Sequence, residues 1–201
     1  MAVRRIETLI FDLGNVLILH DNRLLCRRLA EKAGLTPAEV ERLISPDFWS
    51  AIHGGAVSAG ELRRQVCAKL GLELTASAFD ELWACHFRVN EPMLPQVEAL
   101  VGRAKLLALS NTNAIHARYL VQALPVLKRF DHLLFSHELG MIKPDPEIFR
   151  EALRRAKSEA DATAFFDDIP EYVEAARSVG IHGKLFRSAA EFPAQLAQLG
   201  L

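Results

Sequence analysis

The sequence predicts an α/β protein built on a doubly wound parallel sheet, with an α-helical cap domain inserted after the first strand. Three observations predict it. Residues 8–19, T-L-I-F-D-L-G-N-V-L-I-L, form an almost unbroken apolar run, the pattern of a strand buried on both faces of a parallel sheet. From Glu91 onward, short apolar runs alternate with segments of helical periodicity, as successive βα units require. Between these regions, residues 20–88 read as helical with no strand-like alternation, which separates a cap at 20–88 from a core at 1–19 and 89–201.

Composition bounds the function. The chain has 201 residues, half of them hydrophobic, enough for one full core and a smaller insert. Its formal net charge is -1 from 24 basic and 25 acidic residues, and no basic stripe is interleaved with aromatics, so no nucleic-acid footprint is present. A negatively charged substrate must therefore be attracted locally. Arg4 and Arg5 before the apolar run imitate a secretory leader, but Glu7 and Asp12 interrupt it and no small-residue cleavage site follows. No apolar run is long enough to span a membrane. Cys26, Cys67 and Cys85 are an odd number at wide spacing, which fits buried thiols in a reducing compartment and not disulfides or a zinc site. Together these features predict a cytoplasmic location.

In the first strand, Asp12 is the anomaly. A carboxylate in a buried apolar run costs several kcal/mol unless a charge compensates it. Gly14 and Asn15 follow at once and end the strand in a turn, and the C-terminal edge of a central parallel strand is where open α/β sheets place their chemistry. In the cap, residues 22–33 set Leu24, Leu25, Leu29 and Ala33 near one helical face. Thr36-Pro37-Ala38-Glu39 and Ser58-Ala59-Gly60-Glu61 read as capping boxes, and residues 75–87 continue the helical pattern. Phe48, Trp49 and Trp83 read as cap core, Arg63, Arg64 and Arg88 as a solvated face, and His53 and His86 lie among them.

The second half predicts helices over 93–102, from 114 to about 124, over 147–156, over 171–179 and from 189, with strands at 105–109, 132–136, 162–166 and 184–186. Ile148, Phe149, Ala152 and Leu153 share the inward face of the third of these helices. Two of the strands end in polar residues, Ser110-Asn111 and Asp167-Asp168, and with Asp12 they converge on one sheet edge. Lys143, in a loop over 140–146, can join them. Taken singly, each has an ordinary reading: a turn acid, a helix cap or a solvated lysine. Taken together, three carboxylates call for a cation, and hard oxygen donors without paired Cys or His favour magnesium over zinc. No H-E-x-x-H or G-x-S-x-G pattern supports a zinc or serine hydrolase.

Four segments carry a resemblance. F-D-L-G-N-V at 11–16, L-S-N-T at 109–112, G-M-I-K-P-D-P-E-I-F at 140–149 and F-F-D-D at 165–168 resemble, in this order, the four motifs of the haloacid dehalogenase-like (HAD) hydrolase superfamily. The form of the first motif most resembles small phosphatases of the sugar-phosphatase type, related to the phosphatase domain of epoxide hydrolases. The resemblance implies a HAD-like Rossmannoid core with a helical cap. It implies Asp12 as the nucleophile that becomes an aspartyl-phosphate, with Ser110 and the backbone N–H groups of Gly14 and Asn111 holding phosphate oxygens. Lys143 would stabilise charge on Asp12 and on the transferring group. Mg2+ would be bound by Asp12, the Gly14 carbonyl and Asp168, with Asp167 acting directly or through water.

Two positions depart from the family pattern. Gly14 stands where most such phosphatases carry the aspartate that protonates the leaving oxygen and later activates water, a positioned proton transfer that contributes ~100- to 10,000-fold. A slow phosphatase is therefore expected, unless His20, Asp21 or a substrate group substitutes. Tyr172 stands where an Asn commonly follows the paired aspartates, a position expected to bear on the orientation of Lys143 or Asp168. The expected function is magnesium-dependent hydrolysis of the phosphomonoester of a small metabolite, a sugar phosphate being one candidate. The expected partner is that metabolite, with no nucleic acid and no membrane, and the oligomeric state is open. Two alternatives are a metal-independent dehalogenase, against which Asp167-Asp168 argues, and a non-catalytic binding protein on the same scaffold.

Overall fold

The computed structural model describes residues 5–201, so Arg4 and the rest of residues 1–4 of the predicted core segment lie outside the described residues. In chain order the elements are β1 (Thr8–Phe11), β2 (Ile18–His20), α1 (Asn22–Ala33), α2 (Pro37–Leu43), α3 (Pro46–His53), α4 (Ala59–Leu70), α5 (Ala76–Trp83) and β3 (Phe87–Val89). There follow α6 (Leu94–Glu98), β4 (Lys105–Ser110), α7 (Ala114–Ala123), β5 (His132–Phe135), α8 (Ser136–Leu139) and α9 (Pro146–Ala156). The chain closes with β6 (Thr163–Asp167), α10 (Pro170–Ser178), β7 (His182–Leu185) and α11 (Phe192–Ala197).

One sheet has the order β5-β4-β1-β6-β7, and every pairing in it is parallel. The order reverses at β1, which lies between β4 and β6 and therefore puts its C-terminal end at the topological switch point. Strand alternation divides the core between the two faces. Leu9, Phe11, Leu106, Ala108, Ala164 and Phe166 pack with Val97, Leu120 and Phe192, while Ile10, Leu107, Leu109 and Phe165 pack with Ile148, Phe149, Ala152 and Ala176. On the first face, Phe11 stacks on Phe166 at 5.4 Å and Phe166 meets Phe192 edge-on at 5.0 Å.

Helices α1 to α5 form their own apolar cluster around Leu25, Leu29, Val40, Leu62, Val66, Phe79 and Trp83, with Ile115 of α7 as the core-side residue that joins it. Thr36 and Glu39 cap α2 reciprocally, as the capping-box pattern requires. At Ser58 only half of that box forms. Its side chain accepts the Glu61 N–H, while the Glu61 carboxylate is taken by Arg64 and Gln65.

Several expectations need correction. The apolar run 8–19 is not one strand: β1 ends at Phe11, the chain turns at Gly14 and Asn15, with Asn15 at φ +52°, and β2 pairs antiparallel with β3 in a separate ribbon. Ribbon strands of three residues are too short to show alternation, and Phe87 continues the helical spacing of 75–87, although α5 stops at Trp83. Helix α6 is shorter than the segment 93–102, and Ser136 opens α8 instead of closing β5. The cysteines are unpaired but not buried: Cys26 and Cys67 are partly exposed at the rim of the cap cluster, and Cys85 is exposed in the turn after α5. Among the described residues no helix is long and apolar enough to cross a membrane.

Candidate active site

Asp12 leaves the end of β1 with its N–H donated to Phe166 O at 2.9 Å, so the sheet ladder fixes its backbone. Ser110 is the last residue of β4 and Asp167 the last of β6, and the parallel register brings both beside Asp12. Lys143 arrives from the loop after α8. Its side chain is 1% exposed, and Nζ donates to Asp12 Oδ1 at 2.8 Å and to Asp167 Oδ2 at 2.6 Å.

An ammonium is costly to bury unless its charge is met. Burial alone would weaken the proton affinity of Lys143, but Asp12 and Asp167 more than offset this and hold its pKa above the ordinary lysine value. The faces of Phe165 and Tyr172 lie 5.3 Å and 5.0 Å from Nζ, within cation–π range. Tyr172 therefore helps to enclose Lys143, and its hydroxyl accepts from Asn111 Nδ2 at 3.3 Å. Asp167 is fully buried, and burial pushes its carboxyl up to about 6, with Lys143 pulling the other way. Its second oxygen accepts the Ile169 N–H at 2.8 Å and anchors the turn into α10.

Asp168 is half-buried and accepts from Asn15 Nδ2 at 2.9 Å. One oxygen from each of Asp12, Asp167 and Asp168 lies within 4.8 Å of the others. Lys143 supplies one positive charge against three carboxylates, and the donors are hard oxygens, so the cluster fits a divalent cation of the magnesium type. Asp167 has both oxygens engaged, by Lys143 and by Ile169. Among the described residues no hydrogen-bond donor reaches Asp12 Oδ2 or Asp168 Oδ1.

Every site residue named from the sequence comes to this edge: Asp12, Gly14, Ser110, Asn111, Lys143 and Asp168 line one cleft of about 380 Å³, and Asp167 lies directly beneath, bound to Lys143. Sequence reasoning missed the side-chain role of Asn111. Its Oδ1 accepts the Lys143 N–H and its Nδ2 donates to Lys143 O, both at 2.9 Å. Trp49, His53 and His86 of residues 20–88, His20 and Phe87 of the ribbon, and His116 of α7 line the other wall of the same cleft; of these the sequence had singled out only His20 for a chemical role, as a candidate substitute for the missing acid. Trp49 is thus a cleft residue, although the aromatics there were expected in the cap core; Trp83, which it stacks on at 5.2 Å, is the fully buried one.

Three of these histidines are held neutral. Burial lowers His53 and His86 to about 4 and His116 well below its ordinary value. For His116 the hydrogen bonds assign the tautomer: Asn113 Nδ2 donates to Nδ1 at 3.0 Å, leaving Nε2–H to donate to Trp83 O at 3.1 Å. Trp49 and His53 share a face of α3 at i,i+4 spacing, but nothing in the sequence ties that pair to His20, His86 or His116, so the convergence of the three segments was not readable.

Comparison with known proteins agrees with this geometry. A family model described as haloacid dehalogenase-like hydrolase matches residues 6–180. The chain is similar to a D-ribitol-5-phosphate phosphatase of Bacteroides thetaiotaomicron, 27% identical over 87% of this chain and 89% of that protein. It is similar to a sesquiterpene phosphatase of Aspergillus oryzae, 26% identical over 87% of this chain and 86% of that one. A HAD family enzyme of Bacteroides thetaiotaomicron, solved as a magnesium complex, superposes with a TM-score of 0.85 at 25% identity, covering 97% of this chain and 100% of that one. The chain is an enzyme that belongs to the haloacid dehalogenase-like hydrolases.

Proposed function

We propose that this hydrolase is a magnesium-dependent phosphatase that cleaves phosphomonoesters of small metabolites through an aspartyl-phosphate on Asp12. The observation that carries the reading is the division of labour on Asp12: Oδ1 is tied to Lys143, and Oδ2 faces the cleft without a protein donor. A carboxylate held by one oxygen and free at the other is oriented for in-line attack on phosphorus. Ser110, at the neighbouring strand end, binds a phosphate oxygen together with the backbone N–H groups of Gly14 and Asn111, and the Lys143 ammonium offsets charge as the phosphoryl group transfers.

Asp12, Asp168 and the Gly14 carbonyl would hold the metal, and Asp167, with both oxygens occupied, would reach it through water. Bound magnesium would supply charge neutralisation between the carboxylates and the phosphate. The three clustered carboxylates favour this reading over metal-free dehalogenation. Residues 20–88 act as the cap and residues 1–19 with 89–201 as the core, the cleft lying between them. A sugar or sugar-alcohol phosphate suits the cleft. Imidazoles and an amide on its walls can meet hydroxyl groups, and the phosphatase relatives named above include one that acts on D-ribitol 5-phosphate.

The test is hydrolysis of p-nitrophenyl phosphate and of a panel of phosphorylated metabolites, with magnesium and with chelator. Turnover that requires magnesium and is lost in folded Asp12→Asn supports the reading. Turnover that survives Asp12→Asn overturns the mechanism.

A further inference from the structure

Phosphoryl transfer to and from a carboxylate needs a group that gives a proton to the leaving oxygen and takes one from the attacking water. Near the free oxygen of Asp12 the first motif offers none, because Gly14 has no side chain. Other ionisable groups of the cleft floor are committed: Lys143 and Asp167 bind each other, and Asp168 accepts from Asn15 with one oxygen and would give the other to the metal. Asp21 is spent on the N-terminus of α1, where it accepts the Arg23 N–H at 2.9 Å.

The space beside Gly14 is nevertheless filled. A Cβ built on Gly14 would lie 3.4 Å from Asp12 Oδ2 and 3.4 Å from both Cδ2 and Nε2 of His20. The imidazole thus reaches from the ribbon to the place where a side chain of residue 14 would begin. Its position is set by three features. His20 is paired with Phe87 in the β2–β3 register, its ring packs edge-on against His86 and Phe87, and Nε2 lies 3.3 Å from Asn15 Nδ2. Asn15 must present its NH2 here, since the same nitrogen donates to the Asp168 carboxylate. In its neutral form the ring therefore meets it with the Nε2 lone pair and carries its proton on Nδ1; protonated at Nε2, it gives up the Asn15 bond and offers that proton to the cleft.

We propose that His20 is the proton-transfer residue of this enzyme, in place of the side chain that Gly14 lacks; the proposal rests on the phosphatase reading above. In the first half-reaction an Asp12 oxygen bonds to phosphorus, the ester P–O bond breaks, and the departing oxygen takes the Nε2 proton of the protonated ring. In the second, water attacks phosphorus and its proton goes to the Nε2 lone pair. The P–O bond to Asp12 then breaks, which restores the carboxylate and the protonated ring and releases inorganic phosphate. Water is the sole co-reactant.

The test uses the full-length protein with magnesium and two probes, p-nitrophenyl phosphate and D-ribitol 5-phosphate or whichever alkyl phosphate the panel shows to be turned over. His20→Gln keeps an acceptor for Asn15 but removes the exchangeable ring proton. Its kcat on the alkyl phosphate is expected to fall ~100-fold or more. On p-nitrophenyl phosphate, whose leaving group needs no proton, the variant is expected to release close to one equivalent of nitrophenolate in a burst and to retain phosphate on the protein. A second variant separates chemistry from structure. Gly14 is not among the positive-φ glycines, so it accepts a side chain, and Gly14→Asp introduced into His20→Ala is expected to recover at least ~10-fold of the lost kcat. Wild-type rates in His20→Gln overturn the proposal, as does an equal loss on both probes with no burst and no recovery in the double variant. If the wild type hydrolyses neither probe, the phosphatase reading itself fails.

Discussion

Asn111 and Lys143 grip each other through two hydrogen bonds of 2.9 Å, each residue giving one N–H and taking one, so the turn after β4 and the loop after α8 behave as one piece. The clamp aims Lys143 Nζ at Asp12 and Asp167. Asn111→Ala is expected to release the loop and lower kcat by ~10- to 100-fold while secondary structure is retained, since a small misplacement of a catalytic group costs about that much. Kinetics with circular dichroism on the same preparation checks this, and an unchanged kcat contradicts it.

Lys143 is the sole lysine or arginine lining the carboxylate cleft among the described residues. Lys143→Met leaves Asp12 and Asp167 without their shared partner, and breaking a buried pair costs about 3–5 kcal/mol. Activity should vanish, and the denaturation midpoint without divalent metal should drop by several degrees. Magnesium should recover part of the stability, because it replaces the missing positive charge, but not the activity.

Gly55 adopts φ +78°, and a Cβ there would lie 2.2 Å from the backbone oxygen of His137. This is the close approach between the turn after α3 and helix α8, beside the bond from Ser136 Oγ to His53 O at 2.7 Å. Gly55→Ala should destabilise the protein by ~2 kcal/mol or more, the sum of backbone strain and displacement of α8. Gly102, also at positive φ but with open space around it, should lose only the strain component when changed to Ala, which makes it the control in chemical denaturation.

The histidines of the cleft wall make stability fall with acid. Unfolded, His53, His86 and His116 bind a proton near the ordinary 6.5; folded, burial lowers His53 and His86 to about 4 and holds His116 well below its ordinary value. The unfolded state therefore carries more protons between these values, and stability rises with pH across that window and is lost as pH drops from 6.5 toward 4. His53 and His86 each contribute on the order of 1–3 kcal/mol. Asp167, raised to about 6, works in the opposite sense below that pH, but one group opposes three. Urea midpoints in metal-free buffer from pH 7 to 4.5 should decline, and His86→Phe should flatten the decline.

How much of this was legible follows from range. Asp12, Ser110-Asn111, Lys143 and Asp167-Asp168 could be read because each ends an apolar run, or opens the loop after one, and parallel strands converge at one edge whatever their sequence separation. The ribbon could not be read. Its three-residue strands are held by pairing across 87–89, and a pattern that short carries no period. Tyr172 was noticed as a departure, but that its ring closes over Lys143 depends on how α10 lies against the sheet.

The sequence by itself determined the fold class, the polar strand ends and the absence of a proton-transfer side chain at residue 14, because these are local facts about single segments. Tertiary structure alone decided which oxygen of Asp12 is free, that Asn111 holds Lys143, and that His20 stands beside Gly14. Those depend on distances between side chains from separate elements, which strand order, a tight turn at Asn15 and the packing of a short ribbon set together.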